Sequence, residues 1–421
     1  MADAVKAVLA RIKERFTDRS TPPYSIGLPG MPDGPPEPSR LPAVIRNRRH
    51  RRRLRAALRE YAPTIGMAYA GRAGAPWQLG MWEPYLLASG EPCVIFHLHE
   101  KYLDFVRANS DLKSPIIQLG GHRFGDLRDV LAPSLTSLYY VQNAKNNAGY
   151  MRHRHVTHVW LNHGDSDKPA NFNPRHAKYD VLVVCGQAGI DRYAKHGITI
   201  PREKFEILGR PQASDIEPAR GPIASLDQPT VLYAPTWQGV DETVNFSSLE
   251  RGPEIVQALA DRGARVIFRP HPLSYRWAKR RKAIKATHDV LRKHREATGV
   301  EHVFGQVADK DWSVADCCNH ADALISDVSS VVSDFLQSEK PYAMTTMKTG
   351  VDEFRAEYSV AETAYVLLGD LSNLDDVLDD LLKNDPLAEA RSEKKRYVLG
   401  DFTGHESADA FAAYVRRLAQ G

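Results

Sequence analysis

Short apolar runs bounded by turn residues recur along the chain and alternate with stretches of helical periodicity. In the first half the runs are Thr64–Tyr69, Cys93–Leu98, Ser137–Val141, Val156–Leu161, Val181–Cys185 and Phe205–Leu208. A second series is Val231–Ala234, Val266–Arg269, Ala323–Ser326, Tyr342–Thr345 and Tyr365–Leu368. Each is four to six residues long, the size of a buried strand. Helical spacing falls between several of them, at Glu254–Asp261, Tyr275–Glu296, Val314–Ala321, Val331–Gln337 and Leu374–Leu382. Strands alternating with helices predict parallel sheets joined by right-handed crossovers.

Between the two series, residues 216–229 carry Pro218, Pro222 and Pro229 around Gly221 and read as a linker. The pattern predicts an α/β protein with two Rossmann-like domains facing a cleft. The first would span 43–215, the second 230–403, with a final helix in 404–421 that crosses back. Residues 21–42 hold eight prolines, so they are expected to run as an extended linker or wrap. Upstream, Val5, Val8, Leu9, Ile12 and Phe16 follow helical spacing, with Lys6, Arg11, Lys13 and Arg15 on other faces. That spacing fits a short interfacial helix or a helix packed on its own domain.

Charge sharpens this picture. The chain has a net charge of +4, but its first 60 residues carry +8 and the remainder −4. Arg46 to Arg55 contains seven arginines and a histidine. Such a block suits nucleic acid, an anionic membrane or an anionic polymer, or is simply a solvated helix face. No apolar run approaches the roughly 18 residues needed to span a bilayer. The opening residues mix acids and bases among the apolars, so no secretory signal is expected. Cys93, Cys185, Cys317 and Cys318 show no metal-ligand spacing and read as reduced thiols. The expected location is the cytoplasm.

Several strand ends carry chemistry. Ser326-Asp327-Val328-Ser329-Ser330 follows an apolar run and precedes a helical pattern. Strand, polar turn and helix start together read as a pyrophosphate cradle, while Asp327 or Ser329 as an N-cap is the plainer alternative. Arg269-Pro270-His271-Pro272 leaves His271 at a stiff strand exit, because the prolines forbid helix. Asn162-His163-Gly164-Asp165-Ser166-Asp167-Lys168 follows another strand-like run. Ligands of open parallel sheets bind beyond the carboxyl ends of strands, so two histidines so placed, one in each half, stand out among sixteen.

His163-Gly164 with Lys168, Gly209-Arg210-Pro211, Tyr233-Ala234-Pro235-Thr236-Trp237, Arg269 to Pro272, Ser326 to Ser330 with Asp334-Phe335, Lys340-Pro341 and Gly404-His405-Glu406-Ser407 occur in this order. The set resembles the CDP-glycerol glycerophosphotransferase family, the teichoic acid primases and polymerases, over roughly residues 150 to 420. The commoner family form has Thr-Pro-Leu where this chain has Asp165-Ser166-Asp167. The resemblance implies a GT-B fold and transfer of glycerol phosphate from CDP-glycerol to a polymer or lipid-linked hydroxyl, with CMP leaving. His163 is then the expected base and His271 the leaving-group partner. Arg269, Arg210, Ser326, Asp327, Ser329, Ser330, Thr236 and Trp237 are the expected donor contacts. Lys168, Asp165, Glu406 and Ser407 are further candidates for acceptor or phosphate.

No cofactor is expected and no metal site is evident, although Asp165 and Asp167 are close enough in sequence to share Mg²⁺ with substrate phosphates. The expected partners are the donor, an anionic polymer or lipid-linked acceptor, and the inner face of the cell membrane. Nucleic acid is not expected. CDP-ribitol is an alternative donor, and a nucleotide-sugar transferase of the same fold a second alternative. A non-catalytic membrane or nucleic-acid binder is a third, disfavoured by the ordered motifs.

Overall fold

The computed structural model describes residues 21–40, 42–71, 76–120, 127–128, 130–239 and 244–421. The amphipathic pattern expected from Val5 to Phe16 lies outside them. Two sheets organise the chain. The first holds β1 (Tyr24–Ile26), β2 (Ile65–Tyr69), β3 (Cys93–His97), β4 (Ile116–Gln118), β5 (Ser137–Tyr140), β6 (Thr157–Trp160), β7 (Val181–Val184) and β8 (Phe205–Ile207). Their order is β1-β4-β3-β2-β5-β6-β7-β8, all parallel except β1, which runs antiparallel to β4. The second holds β9 (Thr230–Ala234), β10 (Arg265–Phe268), β11 (Val303–Phe304), β12 (Ala323–Ser326), β13 (Tyr342–Thr346) and β14 (Tyr365–Leu368). It is parallel throughout, in the order β11-β10-β9-β12-β13-β14.

Both sheets are covered on both faces, which is why their strands read as unbroken apolar runs. Ile65, Met67 and Tyr69 of β2 point into one core and Ala68 into the other. In β9, Val231 and Tyr233 take one side and Leu232 and Ala234 the other. Strand order reverses between β2 and β5 and again between β9 and β12. At such reversals neighbouring crossovers diverge and open a crevice at the strands' carboxyl ends.

The Pro-rich stretch does more than wrap the surface. Tyr24 to Ile26 pairs with Gln118 to Ile116 and extends the first sheet. The Arg-rich helix, Ala43–Tyr61, buries Leu54, Ala57 and Leu58 in that domain's core, and His50 Nε2 donates to the Pro23 carbonyl at 3.1 Å. Its other face is solvent: Arg48, Arg49, Arg52, Arg53 and Arg59 are exposed, as are Val44 and Ile45 near its start. No helix among the described residues is long and apolar enough to cross a membrane.

Two C-terminal helices join the halves. The helix Ala388–Leu399 runs so close to the start of helix Gln187–Lys195 that a Cβ on Gly186 would stand 2.5 Å from the Tyr397 carbonyl oxygen. The helix Glu406–Gln420 sends Phe411, Tyr414 and Val415 into the core beneath β2. Ser407 Oγ donates to the Leu208 carbonyl at 2.8 Å, pressed against Gly209, whose φ of +71° and missing Cβ the contact requires. Arg210 and Asp334 close the seam with a buried ion pair at 2.7 Å.

Candidate functional site

The exits of β9, β10 and β12 meet at the second sheet's reversal. Asp327 sits there without solvent contact. Its carboxylate accepts the Thr236 N–H at 2.7 Å, the Ser248 N–H at 3.2 Å and the Thr345 hydroxyl. Burial pushes this carboxyl up from its ordinary value, and the donors from Ser248, Thr345 and Thr236 pull it back. Asp327 is therefore the brace of the crevice, in place of the donor contact or N-cap suggested by the sequence. Ser326 is likewise committed, its buried hydroxyl donating to the Ala234 carbonyl at 2.7 Å. The helix Ser330–Leu336 is capped by Ser329, whose hydroxyl accepts from the Val331 N–H. Of the expected cradle, Ser329 and Ser330 remain partly exposed.

Pro270 and Pro272 hold the chain extended after β10, and the His271 N–H donates to the Pro235 carbonyl at 3.1 Å. The ring is fixed too. Its Nδ1 accepts the Leu273 N–H at 3.1 Å, which leaves the proton of the neutral ring on Nε2. Trp237 stacks over it at 6.1 Å and Trp277 stacks on Trp237 at 5.8 Å. Burial, then the charge of nearby Lys168, lower the imidazole to about 4. At neutral pH His271 presents an uncharged Nε2–H donor.

His163 has the opposite polarity. Two residues past β6, Asn162 takes the left-handed region with φ +63°, a conformation Asn tolerates because its side chain bonds locally. Here its Oδ1 accepts the His163 N–H at 2.8 Å and its Nδ2 donates to the Gly164 carbonyl at 3.0 Å. Trp82 Nε1 donates to the Asn162 carbonyl at 2.7 Å. The turn swings His163 back to β5, where Nδ1 meets the Val141 carbonyl at 3.2 Å. A carbonyl only accepts, so the proton is on Nδ1 and Nε2 carries the lone pair. Burial lowers this ring to about 4, against the pull of the Val141 bond. Trp77 stands edge-on to the ring at 5.8 Å.

The two loops face each other. A Cβ on Gly164 would stand 3.2 Å from Ser330 Cβ. Lys168 crosses from the first domain to donate Nζ to Thr236 Oγ1 at 3.3 Å. Its ammonium also lies 6.0 Å from the Phe246 ring centre, and that of Lys348 lies 5.2 Å from it. Burial lowers Lys168 to about 8, with Asp327 holding it up. The structure thus brings Lys168, Thr236, Trp237, His271 and Ser330 to one crevice, with His163 on the facing loop. An open concavity of about 870 Å³ lies in the second domain, lined in part by Ser247, Arg251, Arg280, Lys348 and Asp370.

Other expected contacts have internal work. Arg210 pairs with Asp334 in the seam. Arg269 donates Nη1 to the Ala308 and Trp312 carbonyls, tying down the π-turn after β11 instead of reaching the cleft. Asp165 and Asp167 both bind Arg192. Exposed Glu406 accepts the Thr403 N–H and hydroxyl at its own helix start, and Ser407 is the domain fastener already described. Among the described residues no group of three or more His, Cys, Asp or Glu side chains is arranged to bind a metal. Sequence reasoning missed Asn162, Trp77 and Phe246. The first had a signal, since Asn before His-Gly at a strand end suits a left-handed turn; the other two are joined to the site by the fold alone.

Residues 214–394, which contain the β9, β10 and β12 exits, match the family CDP-Glycerol:Poly(glycerophosphate) glycerophosphotransferase. A sequence comparison with curated proteins gives no match. Among solved structures, a variant of the wall teichoic acid polymerase TagF soaked with CDPG is similar at a TM-score of 0.52 and 13% identity, covering 90% of this chain and 94% of that one. A UDP-N-acetylglucosamine 2-epimerase from Listeria monocytogenes, its assignment marked as putative, is similar at 0.51 and 11%, covering 82% and 94%. At these identities the likeness is one of fold, the two-domain GT-B arrangement. Over residues 214–394 the chain is similar to the CDP-glycerol:poly(glycerophosphate) glycerophosphotransferase family.

Proposed function

We propose that the protein transfers glycerol phosphate from CDP-glycerol to a hydroxyl of a teichoic-acid-like or capsular polymer, or of its lipid-linked primer. The acceptor hydroxyl gives its proton to His163 Nε2 and its oxygen attacks the phosphorus bearing glycerol. The bond from that phosphorus to the CMP oxygen breaks, and CMP leaves. His271 Nε2–H and the Lys168 ammonium meet the charge that gathers on the departing phosphate. The observation that carries this reading is the opposed polarity of the two rings: His163 offers a lone pair at Nε2 and His271 a proton at Nε2. Binding of the anionic pyrophosphate beside them would raise both rings towards the working pH range. CDP-ribitol demands the same chemistry.

The exposed arginines of helix Ala43–Tyr61 are proposed to hold the enzyme at the cytoplasmic face of an anionic membrane. Each basic residue near such a surface contributes about 1 kcal/mol, and Val44 and Ile45, 79% and 44% exposed, stand ready at the same helix's start.

Three outcomes are expected. Purified protein given a lipid-linked acceptor and a panel of CDP-glycerol, CDP-ribitol and nucleotide sugars should release CMP from a CDP-polyol. Release of a nucleoside diphosphate from a nucleotide sugar would overturn the reading. In that assay His163→Ala and His271→Ala should each lose roughly 10²–10⁴-fold. His271→Gln should recover part of the loss, because a carboxamide N–H can replace Nε2–H, whereas His163→Gln should not.

The pH profile of kcat/KM should fall on the acid side near 4, where His163 takes a proton and ceases to accept. It should fall on the alkaline side near 8, where Lys168 loses its charge. Lys168→Arg should push only the alkaline limb upward, since guanidinium stays charged. A wild-type profile flat through pH 8 would remove Lys168 from this role.

Sedimentation with phosphatidylserine vesicles tests the membrane role. Deleting the first 60 residues is unsuitable, because Leu54, Ala57 and Leu58 are core. Replacing Arg48, Arg49, Arg52 and Arg53 by Gln should release the protein, and added salt should weaken the wild type's binding. Equal binding by both, or no binding at low salt, would reassign the helix to an anionic polymer or to the fold.

A further inference from the structure

The loop carrying His163 and Lys168 is anchored on both sides. Arg192, in helix Gln187–Lys195 of the first domain, donates Nη1 to Asp165 Oδ1 and Nε to Asp167 Oδ1, each at 2.7 Å. The Arg192 side chain is 6% exposed and that of Asp167 8%. The other carboxylate oxygen of Asp167 leaves the domain. Its Oδ2 accepts the Ser359 N–H at 2.9 Å and the Ser359 hydroxyl at 3.1 Å. Ser359 opens the 3₁₀ turn Ser359–Thr363 just before β14, in the second domain. The residue after Asp167 is Lys168, the side chain that reaches Thr236 across the cleft.

We infer that Asp167 is a positioning residue: by joining Arg192 to Ser359 it fixes the backbone from which Lys168 enters the donor site. The inference rests on the proposed role of Lys168 at the pyrophosphate. A lysine is a point charge on a flexible stem, so its placement depends on where its Cα is held. The single bond of Lys168 to Thr236 is long at 3.3 Å and does not hold it alone. A carboxylate is the side chain for the task. It can take a guanidinium N–H on one oxygen and two further donors on the other, all charge-assisted.

Removing Asp167 would also strip Arg192 of a buried partner, so the test acts from the other side. Ser359→Pro deletes both donors to Oδ2 and leaves Arg192 with its two carboxylates. Proline is tolerated in the first position of such a turn, and Tyr358, at φ −112° and ψ 112°, already has the conformation that precedes proline. Turnover of CDP-glycerol by Ser359→Pro should fall in kcat/KM by up to about 10²-fold, as misplacement of a site group does. Adding Lys168→Ala should then cost no more than about a further twofold, because the two changes remove one effect. Fully additive losses, or no loss in Ser359→Pro, would overturn the inference. Hydrogen exchange supplies a readout free of substrate. The segment 163–171 should exchange faster in Ser359→Pro than in wild type, and equal rates would contradict the tie. A wild type that does not act on CDP-glycerol would count against the proposed reaction, while the exchange result would still decide whether Asp167 docks the loop.

Discussion

One buried carboxylate holds the crevice in shape. Asp327 lies where the second sheet reverses direction, and its oxygens are satisfied by backbone or hydroxyl donors from three separate segments. An ionised group without solvent is costly unless its lone pairs are filled. Here the filling defines the geometry: the β9 exit, the segment at Ser248 and β13 are all drawn to one point. Thr236, held through its N–H, offers its hydroxyl to Lys168, and Lys168 in turn tunes His271. The charge that braces the scaffold thus also steadies the cation in the cleft, since Asp327 is what holds Lys168 up against burial.

The facing domain contributes by constraint of a different kind. A left-handed Asn162 and the Val141 carbonyl just past β5 orient His163, so that its free nitrogen is the one without a proton. A backbone amide orients His271 the other way. Neither tautomer depends on a neighbouring acid. Both are written by main-chain groups, which cannot change protonation, and the two roles therefore stay distinct across the pH range in which the rings are neutral. The buried Arg210–Asp334 ion pair and the two C-terminal helices keep the halves in register.

Much of the scaffold was legible in the sequence, because strands buried on both faces leave apolar runs that turn residues delimit. All eleven expected strands are present, within a residue or two at their ends. The three that escaped are very short: β1 in a Pro-rich stretch, β4 with three residues and β11 with two. Strand-exit positions such as His163 and His271 were legible for the same reason, since Gly and Pro mark where strands stop. Partners were not. Asp327 bonds to Thr236 and Ser248, 91 and 79 residues away, and Arg210 finds Asp334 across 124. Local sequence shows small hydroxyls, acids and arginines at a strand end, which suits a phosphate cradle and an internal brace equally well. Only the topology that brings β9 beside β12 decides between them.

The central claim is that the donor's pyrophosphate lies in this crevice, between the two loops. A crystal structure with CDP-glycerol bound tests it most directly. The account predicts the pyrophosphate within hydrogen-bond reach of Lys168 Nζ and His271 Nε2, with the glycerol-bearing phosphorus turned towards His163. A nucleotide seated instead in the concavity lined by Arg251, Arg280 and Asp370, with His271 and Lys168 both out of reach, would contradict it.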